Sequence, residues 1–357
     1  GVDDGWGWDT GENASTGLPI KKAFIAYYNF ATWRTTGIDA PYRLSNIIDT
    51  LRDAYLYTGD IKYGRAGAIL IDRVADVYPS YKWDIHCEYQ HSHGGRYTGK
   101  IDGNLWERLT AQGFAQAYDA FWPAMDDPEV IKYLSGKAEE FGLENKKLTA
   151  DMIRKNCDDG ICREIFKAVK EGRIFSNYPL HHNTLAHAAV VLDSMPETQE
   201  MFEWMRKPSV VTAKTEVVAG KKIWITDSNS GGQLMQGYID TVDRDGFGDQ
   251  VSELYNQQRV NYSIELAEVI GTYEKLKGCD VGIDFWESPR FRKMFYSTFN
   301  MTMAGNYTLQ LGDQYSTAST KNTTRELNLL YGMEEFGDMT FAQQYYAVRN
   351  GDVANAY

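Results

Sequence analysis

Apolar residues recur every three to four positions through LSNIIDTLRDAYLYTGDIKYGRAGAILIDRVADVYPSY, which begins at Leu44. That period predicts amphipathic helix. Thr58-Gly59-Asp60 interrupts it with a compact turn and a glycine at the helix end, so the stretch predicts an antiparallel helical hairpin. The same period returns in DGNLWERLTAQGFAQAYDAFWP, where Pro123 stops the helix, and in DPEVIKYLSGKAEEFGL. TADMIRKNCDDGICREIFKAVKEG, HHNTLAHAAVVLDSM and ETQEMFEWMRK extend the series. Further helices are predicted from about Val251 to Leu276 and over SPRFRKMFYSTFNMTM.

One segment follows a different period. TEVVAGKKIWITD alternates around AGKK and predicts two short strands, a hairpin inserted between helices. The region after Met303 is mixed, rich in Gly, Asn, Thr and Asp. No linker, charge block or low-complexity run divides the chain, and the helices come in sequential pairs. Such pairs suit either a toroid of helical hairpins, with loops around a concave cleft, or an open solenoid.

The chain has 357 residues, with 43% hydrophobic and 24% charged residues, the make-up of an ordinary folded protein. Its 24 Tyr, 15 Phe and 9 Trp are an unusual share. Aromatic rings pack helices, and they also line sugar clefts. A net charge of −12 argues against nonspecific nucleic-acid binding, though a local cationic cleft can still take an anion. No apolar run approaches the roughly 20 residues of a membrane span. The chain starts at Gly1 rather than Met and carries no signal peptide, as expected of a processed form or a piece of a longer protein. Cys157 and Cys162 flank DDGI and suit either a small-loop disulfide or two free thiols.

The six histidines fall into two groups. His86, His91 and His93 lie in WDIHCEYQHSHGGRYTGK, a glycine-rich loop; His181, His182 and His187 lie in SNYPLHHNTLAHAAVV, at a helix start that Pro179 marks. The loop histidines with Glu88 or Asp84 have the donors for zinc, but their spacing matches no specific zinc signature. His187, between two alanines, reads as a satisfied core histidine. On the predicted helix after DRDGFGDQ, Tyr255, Arg259 and Tyr262 are spaced by four and then three residues and share one face.

DRDGFGDQVSELYNQQ resembles the DG-(small/aromatic)-x-E-x-S-x-x-Y segment of the heparinase II/III-like and alginate-lyase polysaccharide lyases. AYLYTGDIKYGRAGAILIDRVADVYP is similar to their N-terminal helical hairpin, and GKIDGNLWERLTAQGFAQAYDAF to the next helical segment. SNYPLHHNTLAHAAVVL sits where they carry an Asn/His helix start, and YTLQLGDQYST resembles a Gly-Asp segment near the end of their helical domain. Gln250 stands where the family has Glu, the family's Asn-His pair appears as His182-Asn183, and the inserted hairpin lengthens the spacing to Tyr255.

The resemblance implies an all-α fold, an incomplete (α/α) toroid of antiparallel helical hairpins with a small inserted β-hairpin. It implies one toroid domain over residues 1–357, as the N-terminal part of a longer protein with C-terminal β-sandwich domains. It further implies β-elimination on a secreted or periplasmic enzyme's uronic-acid polysaccharide. Tyr255 and His182 would transfer protons, and Asn183 or Asn177 would neutralise the uronate carboxylate. Arg259, His181, Tyr262, His91 and His93 would contact the anionic polysaccharide. This chemistry requires no cofactor, and a structural metal is the only metal role left open. Two other functions fit the residues. A glycoside hydrolase would need facing carboxylates, with Asp102, Glu107, Asp245, Asp249 and Glu253 as candidates. A helical glycan-binding protein would use the aromatics without proton transfer.

Overall fold

The computed structural model describes residues 9–12, 19–21, 44–81, 99–101, 103–218, 221–250, 252–303, 307–308, 311–312, 326–349 and 351. The fold is mostly helical, with three small two-stranded sheets among the described residues. The chain packs into two compact units, one formed by 1–204 and 209–232 and the other by 205–208 and 233–357.

The first unit opens with a short ladder of β1 (Asp9–Glu12) on β2 (Pro19–Lys21). α1 (Leu44–Thr58) and α2 (Ile61–Val77) then form the predicted hairpin. Gly59 adopts φ +65, and the Asp60 side chain caps α2 by accepting from the Lys62 amide. α2 buries Ala68, Ile71, Val74 and Ala75. It also packs Gly67 against the Phe121 ring at the end of α3 (Asn104–Phe121), so closely that a β-carbon would fall 2.1 Å from that ring. Pro123 ends α3 in a 3-10 turn over Trp122–Asp126, and α4 (Pro128–Glu140) follows behind an Asp127 cap.

α5 (Ala150–Cys157) and α6 (Glu164–Lys170) are joined without a break by a π-helical turn over Asp158–Arg163. That turn lays Gly160 on the backbone of α2: a β-carbon there would lie 2.2 Å from the Ala75 carbonyl oxygen. Cys157 and Cys162 are buried free thiols, which decides between the two sequence readings. α7 (Leu180–Leu192) lies against α3 and α6. Leu180 to Ala189 are all buried, in keeping with a helix that is apolar around most of its circumference. α8 (Glu197–Arg206) leads to the inserted hairpin, β3 (Val211–Val218) antiparallel to β4 (Lys221–Asn229). The pairing runs from Val211 with Asn229 to Val218 with Lys221.

The second unit contains α9 (Leu234–Thr241), α10 (Glu253–Lys277), α11 (Pro289–Met301), α12 (Glu326–Phe336) and α13 (Met339–Val348). A short ladder joins β5 (Thr302–Met303) to β6 (Tyr307–Thr308). Much of the aromatic content is spent here on packing. Phe295 makes edge contacts with Phe291 and Phe336, both at 5.2 Å between ring centres, and Phe341 meets Tyr296 at 4.8 Å. Among the described residues, no helix is long and apolar enough to cross a membrane.

Candidate functional site

The start of α7 gathers the polar residues that the sequence singles out in the first unit. Asn177 sits just before the helix, half-buried, and its carbonyl accepts from the Leu180 amide at 2.8 Å. The Tyr178–Pro179 bond is cis. The Pro179 carbonyl accepts from the amides of His182 (2.9 Å) and Asn183 (3.2 Å), so the first turn is fixed by backbone alone. His181, His182 and Asn183 follow, all buried.

The His182 ring is clamped. Its Nε2 lies 2.7 Å from the Gly232 carbonyl oxygen. Its faces meet Tyr178, edge-on at 5.4 Å, and His181 at 4.1 Å between ring centres. The loop carrying Gly232 is itself held: Gly232 donates to the Trp204 carbonyl at 2.7 Å, and Trp204 Nε1 donates to the Asn229 carbonyl at 3.1 Å. Burial lowers the His182 pKa to about 4, outweighing the Gly232 and Pro179 carbonyls, which favour a proton on the ring. The ring is therefore neutral at ordinary pH. Its one proton belongs on Nε2, facing Gly232, and Nδ1 is left as a buried acceptor with no hydrogen-bond partner.

His181 stacks on Phe175 at 5.1 Å and places Nδ1 3.3 Å from the Ser176 carbonyl oxygen. Burial, then the neighbouring His182, push its pKa well below the usual histidine range. Asn183 is fully buried, and neither its amide nitrogen nor its amide oxygen has a hydrogen-bond partner. Leaving such a group unmet costs about 1–3 kcal/mol. His187 places Nδ1 2.9 Å from the Asn183 carbonyl oxygen, as a core histidine would.

The second unit holds Tyr255, Arg259 and Tyr262, all on α10. Ser252 caps this helix, its hydroxyl accepting from the Tyr255 amide. Tyr255 and Tyr262 are half-buried, whereas Arg259 is buried. The Arg259 guanidinium has defined partners: Nη1 donates to the Thr241 carbonyl and Nη2 to Asp249 Oδ1, both at 2.6 Å. Asn256 Oδ1 accepts from the Gly248 amide at 3.0 Å. These bonds pin the glycine-rich turn that precedes α10, with Val242 and Gly248 bridged across it.

His91 and His93 lie outside the described residues, as does Asp102. Of the other carboxylates considered for a hydrolase, Glu107 is buried and accepts from the Tyr78 hydroxyl at 2.8 Å. Glu253 is buried on α10 and accepts from Gln257; Asp249 is paired with Arg259; Asp245 is exposed on the turn. Among the described residues, no group of three or more His, Cys, Asp or Glu side chains converges as a metal site would.

Sequence reasoning did not find Gly232, Phe175 or Tyr178 as parts of the histidine site. Tyr178 and Phe175 flank it in sequence, and aromatic residues beside a Pro-Leu-His-His start were an available signal. Gly232 acts through its carbonyl, from 50 residues away, and nothing in the local sequence announces that. No protein-family model matches this chain, and comparison with curated proteins finds no match.

Proposed function

We propose that the protein is a polysaccharide lyase that cleaves a uronic-acid polymer by β-elimination, with its helical pairs forming part of an incomplete (α/α) toroid. The observation that carries this reading is the His182–Asn183 pair: a buried neutral imidazole whose Nδ1 has no hydrogen-bond partner, next to a buried carboxamide with neither end hydrogen-bonded. The reaction needs two such groups. The proton at C5 is weakly acidic while the adjacent carboxylate is charged. A carboxamide N–H donated to that carboxylate stabilises the enolate-like transition state by about 2.7–4 kcal/mol in comparable oxyanion sites. A neutral imidazole can then accept the C5 proton through Nδ1 as the C4–O bond breaks, the kind of step that contributes roughly 10²–10⁴-fold. Gly232 fixes the tautomer that leaves Nδ1 open.

The sequence resemblance names Tyr255 on α10 as a proton-transfer candidate in its own right, and it supports secretion and an anionic polysaccharide substrate. The test is ultraviolet absorbance against a panel of uronate polysaccharides. A rise from the new C4=C5 double bond, lost in His182→Ala and in Tyr255→Phe, supports the lyase. New reducing ends with no absorbance change would replace it with a hydrolase.

A further inference from the structure

Among the described residues, Lys147, on the loop between α4 and α5, is only 1% exposed. A lysine in a loop whose other residues are exposed or half-buried belongs in water, so its burial needs a cause. The loop delivers it deliberately. Lys147 adopts φ +52, a left-handed conformation that costs a side-chain-bearing residue energy. Asn145 holds that shape, its Oδ1 accepting from the Lys147 amide at 3.0 Å and its Nδ2 donating to the Met152 carbonyl at 2.8 Å.

The Nζ so delivered meets two carboxylates of α2. It is hydrogen-bonded to Asp72 Oδ2 and lies 2.8 and 2.7 Å from the two oxygens of Asp76. Asn156 on α5 completes the group, its Nδ2 lying 2.9 Å from both Asp72 Oδ1 and Asp76 Oδ1. Asp72 is fully buried, and Asp76 has a further cation near it, Arg73 at 3.8 Å. The group thus holds one amine and two inequivalent carboxyls, Asp72 buried and Asp76 14% exposed.

We propose that Lys147 and Asp72 condense to form an internal amide, with Asp76 as the proton relay. The Lys147 ammonium passes a proton to the Asp76 carboxylate, and the freed Nζ lone pair attacks Cγ of the protonated Asp72 carboxyl. The negative charge that develops on Oδ1 faces the Asn156 amide. Asp76 returns the proton to the departing hydroxyl, water leaves, and Asp76 takes the remaining surplus proton from the new amide nitrogen. One N–C bond forms, one C–O bond breaks, and no oxidant or reductant enters.

The surroundings favour each step. Burial raises the Asp72 pKa to about 6, working against the Lys147 charge and with that of Asp76, so this carboxyl is protonated far more readily than an exposed one. Fixed contact between amine and carboxyl lowers the entropic part of the barrier to condensation. The link would join residues 75 apart in sequence and tie the loop before α5 to α2.

Intact-mass measurement of the purified, folded chain tests this. The expected result is a mass one water below that of the sequence, with proteolysis yielding a branched peptide in which Lys147 is joined to Asp72. Lys147→Arg keeps the cation but cannot form the amide, and Asp76→Asn removes the relay; both are expected at full mass with helical circular dichroism retained. A wild-type chain at full mass, with Lys147 recovered in an ordinary linear peptide, would overturn the proposal whatever the variants do. So would a water loss that persists in Lys147→Arg.

Discussion

The Nε2 of His182 lies 2.7 Å from the carbonyl oxygen of Gly232, so a helix start is read by a loop that follows the inserted hairpin. The contact fixes a buried ring in one tautomer, and burial keeps that ring neutral. That neutrality has a consequence for stability. The unfolded chain takes up a proton at His182 as pH falls below about 6.5, while the folded chain, its pKa lowered to about 4, refuses it.

The His182 contribution is therefore fully present above about pH 6.5 and is lost as pH falls towards about 4, amounting to roughly 3 kcal/mol in all. His182→Gln can still donate to Gly232 but does not titrate. Denaturant unfolding of both proteins between about pH 7 and pH 4 should show wild type losing more stability than the variant by that order. Parallel curves would mean that His182 is not excluded from protonation in the folded state.

Asn183→Leu should separate function from stability. Leucine has a similar volume and no polar atoms to strand, so the variant is expected to gain about 1–3 kcal/mol in unfolding free energy. Under the proposed mechanism it also loses turnover. Chemical denaturation gives the first quantity and ultraviolet absorbance the second. A destabilised variant would show that the amide has a partner worth more than its desolvation.

Two glycines make a matched test of packing. Gly160→Ala would drive a methyl to 2.2 Å from the Ala75 carbonyl oxygen, both on rigid backbone, and should cost about 1–3 kcal/mol or more. Gly136, exposed on α4 with nothing within 4 Å of an added β-carbon, should instead gain about 0.5–1 kcal/mol as alanine. Thermal unfolding of the two variants should move in opposite directions. A tolerated Gly160→Ala would mean that the π-helical turn is not held against α2.

These positions also show what was legible in the sequence. The Thr-Gly-Asp turn, the strands around AGKK and the span of α10 follow from local period and turn chemistry, and the structure has all three. α10 runs from Glu253 to Lys277 where periodicity predicts about Val251 to Leu276. The π-helical turn was not legible, because DDGICR has no local feature that separates it from ordinary helix; contact with α2 decides it. The burial of Lys147 was hidden for the same reason, since its partners lie 71 and 75 residues away. At the histidine site, the residue types were readable but the Gly232 carbonyl was not. His187 read correctly as a core histidine, because two flanking alanines already say that its surroundings are tight.

Arg259 offers the sharpest contrast between a role in binding and a role in folding. Helical spacing puts it with Tyr255 and Tyr262, where it would grip a substrate carboxylate. Its side chain is only 4% exposed, however, and each terminal nitrogen has a protein acceptor at 2.6 Å. A β-carbon on Gly248 would come within 2.6 Å of Nη1, so the turn closes directly on the guanidinium. Lysine has the charge but not the fork, and it cannot serve Thr241 and Asp249 together. Arg259→Lys is therefore expected to lose about 1–3 kcal/mol of stability. Asp249→Asn should lose less, because its carboxylate is half exposed and an oxygen acceptor remains. An Arg259 that served substrate binding would behave in the opposite way, with an unchanged unfolding midpoint and a raised KM. Measuring both quantities on the one variant decides between a residue that holds the turn and one that holds the sugar.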